Sequence, residues 1–268
     1  MKRLLATVAV VATVTLAAAC GSSDDNSSGS GSSAGPSAST SSGGVSGTVT
    51  VFAAASLTES FTTLGKQFEA AHPGTRVKFN FGASSSLAEN INQGAPADVF
   101  ASASPTNMQQ VVDAGGASDS KTFANNVMEI AVPPDNPANV TQVTDLAKSS
   151  VKVALCQPEV PCGKVAQEVF KKANVTVKPV TQGADVKAVL TTVQLGEVDA
   201  GMVYQTDVQA AGSKVKGIVI PADQNASTSY PIAALTKAPN TAGAAAFVDY
   251  VLSPDGEKVL SQAGFAAP

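Results

Sequence analysis

Histidine, arginine and tryptophan are nearly missing from this chain. Its 268 residues hold one histidine (His72), two arginines (Arg3 and Arg76) and no tryptophan. One histidine all but removes His-built metal sites and Ser-His-Asp catalysis. So little arginine argues against amino-acid and dicarboxylate ligands, which favour a bidentate guanidinium clamp. Basic runs are absent too: 17 Lys and Arg face 21 Asp and Glu, a net charge of -4. Nucleic acid is therefore not an expected partner, because phosphate contacts need clustered cations. Aromatics make up 5% of the chain, which gives little sign of an exposed adhesion patch. The sequence has no G-x-x-x-x-G-K-[ST] motif, so any ATP hydrolysis must lie on a partner. What remains is 44% hydrophobic and 14% charged, enough apolar content for a sizeable core in one or two domains.

The N-terminus reads as a targeting segment. Lys2 and Arg3 precede an apolar run from Leu4 to Leu16, and small residues lead to Cys20. That run is too short to span a bilayer and predicts a signal peptide over residues 1–19. Ala17-Ala18-Ala19-Cys20 resembles a bacterial lipobox, with Ala17 where leucine is usual. Lipidation of Cys20 is the expectation; plain secretion by cleavage at the same bond is the alternative. Cleavage there removes Lys2 and Arg3 and leaves a net charge of -6. Residues 20–47 then form a Gly/Ser tether with a reach of about 30 Å. The expected location is the outer face of the cell membrane, held by an N-terminal lipid. Cys156 and Cys162 remain, and an oxidising compartment predicts a disulfide between them. A metal site there would lack further Cys or His ligands.

From Thr48 onward, strands alternate with helices. Strands are expected at Thr48–Ala53, Arg76–Phe81, Asp98–Ala101, Val127–Val132, Val151–Leu155, Val175–Pro179, Ala200–Tyr204, Val215–Ile220 and Tyr230–Leu235. Between them lie helical patterns, such as Leu57, Phe61, Leu64 and Phe68 at spacings of four, three and four. The alternation predicts an α/β fold with mainly parallel sheets flanked by helices. Two successive runs predict two lobes, residues 48–127 plus 229–268 and residues 128–228. The segments near 126–132 and 229–235 are the candidate crossovers.

Open α/β sheets bind ligands beyond strand carboxyl ends, at helix N-termini. Four junctions here share one chemistry: Ala53-Ala54-Ala55-Ser56, Gly82-Ala83-Ser84-Ser85-Ser86, Val160-Pro161-Cys162-Gly163 and Gly183-Ala184-Asp185-Val186. Each offers backbone N–H groups, two offer hydroxyls, and none carries arginine. Lys164 and Lys187 lie just past two of them and are expected in solvent. Four converging helix ends would supply roughly +2 charge, the complement of a dianion. Taken singly, Ser56, Ser84 and Asp185 read equally well as ordinary helix caps.

AAASLTESF, FNFGASSSLAENI, GAPADVFASAS, QPEVPCGK, ADVKAVL and DAGMVYQTD follow one another in this order. Together they resemble the molybdate-binding proteins of bacterial molybdate ABC importers, over about residues 48–268. The resemblance implies a two-lobed periplasmic-binding-protein clamshell (type II). In it, hydroxyls and backbone amides hold an oxyanion between the lobes. Carried over by motif, the implied ligand set is the Ser56 hydroxyl, the Ser84 hydroxyl (with Ser85 one residue away), the Cys162 and Val186 amides, and the Tyr204 hydroxyl. Molybdate or tungstate is the implied ligand, molybdenum entering only as the oxyanion. No cofactor is implied. An ABC permease with a separate ATPase is the implied partner, and a monomer is expected.

A donor-only site prefers a fully deprotonated tetrahedral ion, whereas phosphate keeps a proton and needs an acceptor. Sulfate is the alternative ligand, since the sequence does not give cavity size. Catalysis is not expected: Ser56 would need a base, and His72 lies roughly 24 Å along the next helix. His72 is expected at the surface. Asp98 and Asp199 are expected to satisfy backbone groups at strand ends, and Phe247 and Phe265 to be core. Tyr230 reads as either a hinge residue or core.

Overall fold

The structure, a computed structural model, describes residues 45–268. The leader expected over 1–19, Cys20 and the tether up to residue 44 lie outside the described residues.

The chain opens with β1 (Gly47–Ala54), α1 (Thr58–Ala71), β2 (Thr75–Gly82), α2 (Ser84–Asn92), β3 (Val99–Ala101) and α3 (Pro105–Asp113). β4 (Lys121–Val132) leads to β5 (Val153–Cys156), α4 (Pro161–Lys172), β6 (Thr181–Gly183), α5 (Val186–Gln194) and β7 (Ala200–Tyr204). After α6 (Gln205–Ala211) and β8 (Lys216–Val219), β9 (Ser227–Ala234) is followed by α7 (Thr241–Val251) and α8 (Pro254–Gln262). No helix among the described residues is long and apolar enough to cross a membrane.

The strands run in the order β2-β1-β3-β9-β4-β7-β5-β6, with β8 also on β4. β1 pairs in parallel with β2 and β3, and β5 in parallel with β6 and β7. β9 and β8 add antiparallel partners. β4 links the two runs. Its first half, Lys121–Val127, pairs with β9, and its second half, Met128–Val132, pairs with β7 and β8. Asn126 therefore sits where the strand passes from one lobe to the other.

Each run buries its own apolar side chains. Phe61, Leu64 and Phe68 of α1 pack with Val49, Phe123, Phe247 and Phe265, all buried. Phe52, Leu87, Phe100 and Met108 form a neighbouring cluster on α2 and α3. The second lobe's core runs from Met128 to Ala226, and Ala55 is its one buried member from the first lobe. A fully buried side chain of this size contributes about 1.5–3 kcal/mol.

The expected α/β architecture is present, with local corrections. Val175–Pro179 is not a strand. The Val175 amide closes α4 onto Phe170, and ladder pairing starts later, with the Val180 amide on Val153 and β6 at Thr181. Val175 and Val177 still pack on the core from an irregular segment, so their alternation reported burial rather than pairing. β4 begins at Lys121, six residues before the expected strand, because β9 pairs with it there. Helix α6, directly after Tyr204, went unexpected. Asp98 accepts the Thr50 and Asn240 amides at 2.7 and 2.6 Å, and Asp199 accepts the Lys152 amide at 2.7 Å.

Candidate functional site

Six chain turns, three from each lobe, meet at one small cleft. From the first lobe come Ala54, Ala55 and Ser56 after β1, Gly82, Ala83 and Ser84 after β2, and Ala103 after β3. From the second come Pro161 and Cys162, Asp185 and Val186, and Tyr204. The space, mouth included, is about 220 Å³. Most of that is the mouth; the enclosed part is far below the roughly 300–1,000 Å³ of sites for drug-sized ligands. Ser56, Ser84, Cys162, Val186 and Tyr204 all line it.

The sequence at each turn explains the donors. Ala83 and Val160, the N-cap residues of α2 and α4, supply no side-chain acceptor. First-turn N–H groups have no carbonyl four residues back, so the amides of Ser84 and Cys162 face the cleft side without a cap. α5 does have one: the Asp185 carboxylate accepts from the Ala188 amide at 3.0 Å. The Val186 amide stays ahead of that bond. Asp185 is thus an ordinary cap, as one reading of the sequence had it.

Ser56 and Ser84 are not caps. The N-cap of α1 is Leu57, not Ser56, because a short turn at Ala55–Leu57 intervenes before the helix. The Ser56 hydroxyl instead lies 2.8 Å from the Tyr230 hydroxyl. Ser84 is the first residue of α2, and its Oγ accepts from the Ala103 amide at 2.9 Å. A hydroxyl that accepts an N–H keeps its own proton free to donate.

Behind Ser56 the proton order is set by Asn126. Its Oδ1 accepts from the Val127 amide at 3.0 Å, which turns Nδ2 toward Thr206 Oγ1 at 2.8 Å and Tyr230 Oη at 3.4 Å. Tyr230 therefore accepts from Asn126 and donates to Ser56, whose proton points on into the cleft. The sequence reading left Tyr230 between hinge and core; it is buried and supports the site. Asn126 carries no local sequence signal, because its partners lie 80 and 104 residues away.

Tyr204 is the decisive donor. Its hydroxyl is fully buried and has no hydrogen-bond partner among the described residues. An unpaired buried hydroxyl costs about 1–3 kcal/mol, which a ligand oxygen in the cleft would recover. Burial raises the Tyr204 phenol well above its ordinary value, with the nearby Tyr230 and Asp207 adding to the shift. Burial raises Tyr230 as well, against its hydrogen bonds with Ser56 and Asn126. Both phenols stay protonated at any physiological pH and act as donors.

No lysine or arginine lines the cleft. Lys164 is exposed, as expected. Lys187 departs from expectation: its side chain is only 22% exposed and is paired with Glu59 and Asp207. Burial alone lowers Lys187, but the charge of Asp207 and the bonds to both carboxylates outweigh it and the net shift is upward. A wider groove of about 800 Å³ opens beyond Ser56, bordered by Glu59, Thr63, Thr206, Gln209 and Gln262. It also carries no cation, and Glu59 puts a carboxylate on its wall.

Next to the cleft, Cys156 and Cys162 are bonded to each other. The loop between them folds back so tightly that a Cβ on Gly163 would come within 2.0 Å of the Gln157 carbonyl oxygen. Glycine at this position lets the Cys162 amide enter the cleft wall.

Residues 49–266 match the family model described as bacterial extracellular solute-binding protein. The chain belongs to that family. Among its relatives, the molybdate-binding protein ModA of Mycobacterium tuberculosis is 39% identical over 222 residues, covering 82% of this chain and 85% of that one. A Bacillus subtilis solute-binding protein, YvgL, named for an ABC transporter substrate-binding lipoprotein, is 35% identical and covers 82% of this chain and 86% of its own. The solved periplasmic molybdate-binding protein of Azotobacter vinelandii superposes with a TM-score of 0.74 at 20% identity, over 82% of this chain and 99% of that one. At that identity the superposition establishes the fold, a solute-binding clamshell.

Proposed function

We propose that this solute-binding protein captures molybdate, and tungstate with it, between its lobes and delivers the ion to an ABC-type permease. The observation that carries the reading is a cleft of donors only. It combines two serine hydroxyls, an unpaired buried phenol and the uncapped starts of helices from both lobes. Helix N-termini favour an anion, each by about half a charge. Low dielectric strengthens each bond once water is excluded. The single carboxylate on the wall, Asp185, is occupied by an amide of its own helix. A fully deprotonated tetrahedral dianion finds donors from both lobes, whereas a protonated phosphate would have to use the Asp185 carboxylate, one oxygen of which already caps its own helix. The choice of molybdate over sulfate is supported by the Mycobacterium tuberculosis relative, which is named for molybdate.

The same reading extends to the rest of the system. Ser56, Ser84, Tyr204 and the amides of Cys162 and Val186 contact the ion. Cys20 carries the lipid that holds the protein at the outer face of the membrane, in line with the lipoprotein name of the Bacillus relative. The protein acts as a monomer, without a cofactor and without catalysis. A separate ATPase drives the permease.

Isothermal titration calorimetry with molybdate, tungstate, sulfate and phosphate tests this. Tight one-to-one binding of molybdate and tungstate, with sulfate far weaker, is expected. Equally tight sulfate would make the chain a general tetrahedral-oxyanion binder. No heat with any of the four would overturn the reading.

A further inference from the structure

Lys187 ties together three segments of the ion site without lining the cleft itself. It is the second residue of α5, next to Val186 on the cleft wall. Its Nζ lies 2.9 Å from Asp207 Oδ1, and 2.8 and 3.0 Å from the two carboxylate oxygens of Glu59. Asp207 belongs to the same lobe. It is fully buried, and its other oxygen accepts the Tyr204 amide at 3.1 Å. Glu59 belongs to the opposite lobe, on the first turn of α1, three residues after Ser56. Its side chain is 52% exposed. Of the ion pairs among the described residues, Lys187–Glu59 is the one that spans the two lobes.

The two halves of this triad differ in kind. Asp207 lies on α6, which packs on β4, β7, β8 and α5 of its own lobe, so its pair with Lys187 belongs to the second lobe. Glu59 is half in water already and can be released to solvent at small cost when the lobes separate. An ammonium has three protons to give. Two of them go to the Glu59 oxygens in the closed arrangement, while Asp207 is held by charge at 2.9 Å. The arrangement also spends the positive charge of Lys187 on two carboxylates, so that charge is not offered to the ion.

We propose that Glu59 is the releasable half of a latch: its pair with Lys187 holds the lobes closed and sets how slowly a bound oxyanion leaves. The proposal rests on the binding reading above for its kinetic consequence, and on geometry alone for closure. Glu59 is a positioning residue and does not touch the ion.

The test is Glu59→Gln in the full chain, with Glu59→Asp as the conservative variant. Stopped-flow release of molybdate should be about fivefold faster in Glu59→Gln, the size expected of a half-exposed ion pair, with association unchanged. Glu59→Asp should recover part of the loss. The thermal midpoint without ligand should not move, because Asp207–Lys187 remains, and a merely structural role would shift it. Small-angle X-ray scattering without any ion should give a larger radius of gyration for Glu59→Gln than for wild type. Equal release rates together with equal radii would overturn the latch. If the wild type binds no oxyanion, the binding reading fails and the scattering comparison alone decides the latch.

Discussion

The hydroxyl of Tyr230 stands 2.8 Å behind that of Ser56, across 174 residues of sequence. With Asn126 donating from the far side, both phenol lone-pair and proton are assigned, and Ser56 is left to donate forward into the cleft. Ser56→Ala should therefore weaken molybdate binding by about 1.5–3 kcal/mol, one hydrogen bond to a charged group. That is roughly a 10- to 150-fold rise in Kd. Tyr230→Phe removes only the neutral bond behind the serine and should cost about 0.5–1.5 kcal/mol, roughly 2- to 12-fold. Titration calorimetry on both variants checks the order. A larger loss from Tyr230→Phe than from Ser56→Ala would contradict this proton order.

Tyr204 predicts opposite signs for stability and affinity. Its hydroxyl is buried without a partner. Removing it in Tyr204→Phe leaves nothing unsatisfied, so the ligand-free protein should be as stable as wild type or more so, by up to about 1–3 kcal/mol. Binding should weaken by roughly 10- to 150-fold, because the ion loses a donor. Thermal unfolding with and without molybdate separates the two effects. A lower midpoint without ligand and an unchanged Kd would show that the phenol serves packing alone.

Much of this could be read before folding, and the rest could not, for local reasons. Helix α1 was legible because Phe61, Leu64 and Phe68 repeat at helical spacing and all three are buried. The four donor junctions were legible because small residues and helix starts follow strands in short order. Val175–Pro179 misled because alternating valines bury one face whether or not the backbone is in a ladder. Asn126 gave no signal, being one polar residue in a strand whose partners arrive a hundred residues later. Asp207 did leave a trace. It stands three residues after Tyr204, the spacing of a capping box, and its carboxylate indeed accepts the Tyr204 amide.

The bond between Cys156 and Cys162 closes a short loop beside the cleft. Chain-entropy arguments assign so short a loop about 2 kcal/mol. Loss of the bond in Cys156→Ser/Cys162→Ser should lower the thermal midpoint by about 4–8 °C for a chain of this size. Before reduction, alkylation followed by mass spectrometry should label neither thiol. Labelling of both would refute the bridge. Affinity for molybdate should fall less than in Ser56→Ala, since the Cys162 amide is retained and only its loop is loosened.

Asp145 supplies a pH dependence that has nothing to do with the ion. Its carboxylate accepts from the Thr141 amide and hydroxyl at 2.9 and 3.0 Å and pairs with Lys148 at 2.7 Å. The bond to Lys148, then that to the Thr141 amide, holds it down at about 2. The folded value thus lies below the unfolded value of about 3.9. A lowered carboxylate stabilises the fold above the unfolded value and ceases to do so as pH falls through the folded one. Asp145→Asn should therefore be less stable than wild type at pH 6. The gap should narrow below about pH 4 and close near pH 2. Urea unfolding at a series of pH values measures it. A gap that stays constant down to pH 2 would mean that the charge of Asp145 is not what stabilises its turn. Asp145 does not line the cleft, so molybdate affinity at pH 7 should match wild type in the same variant.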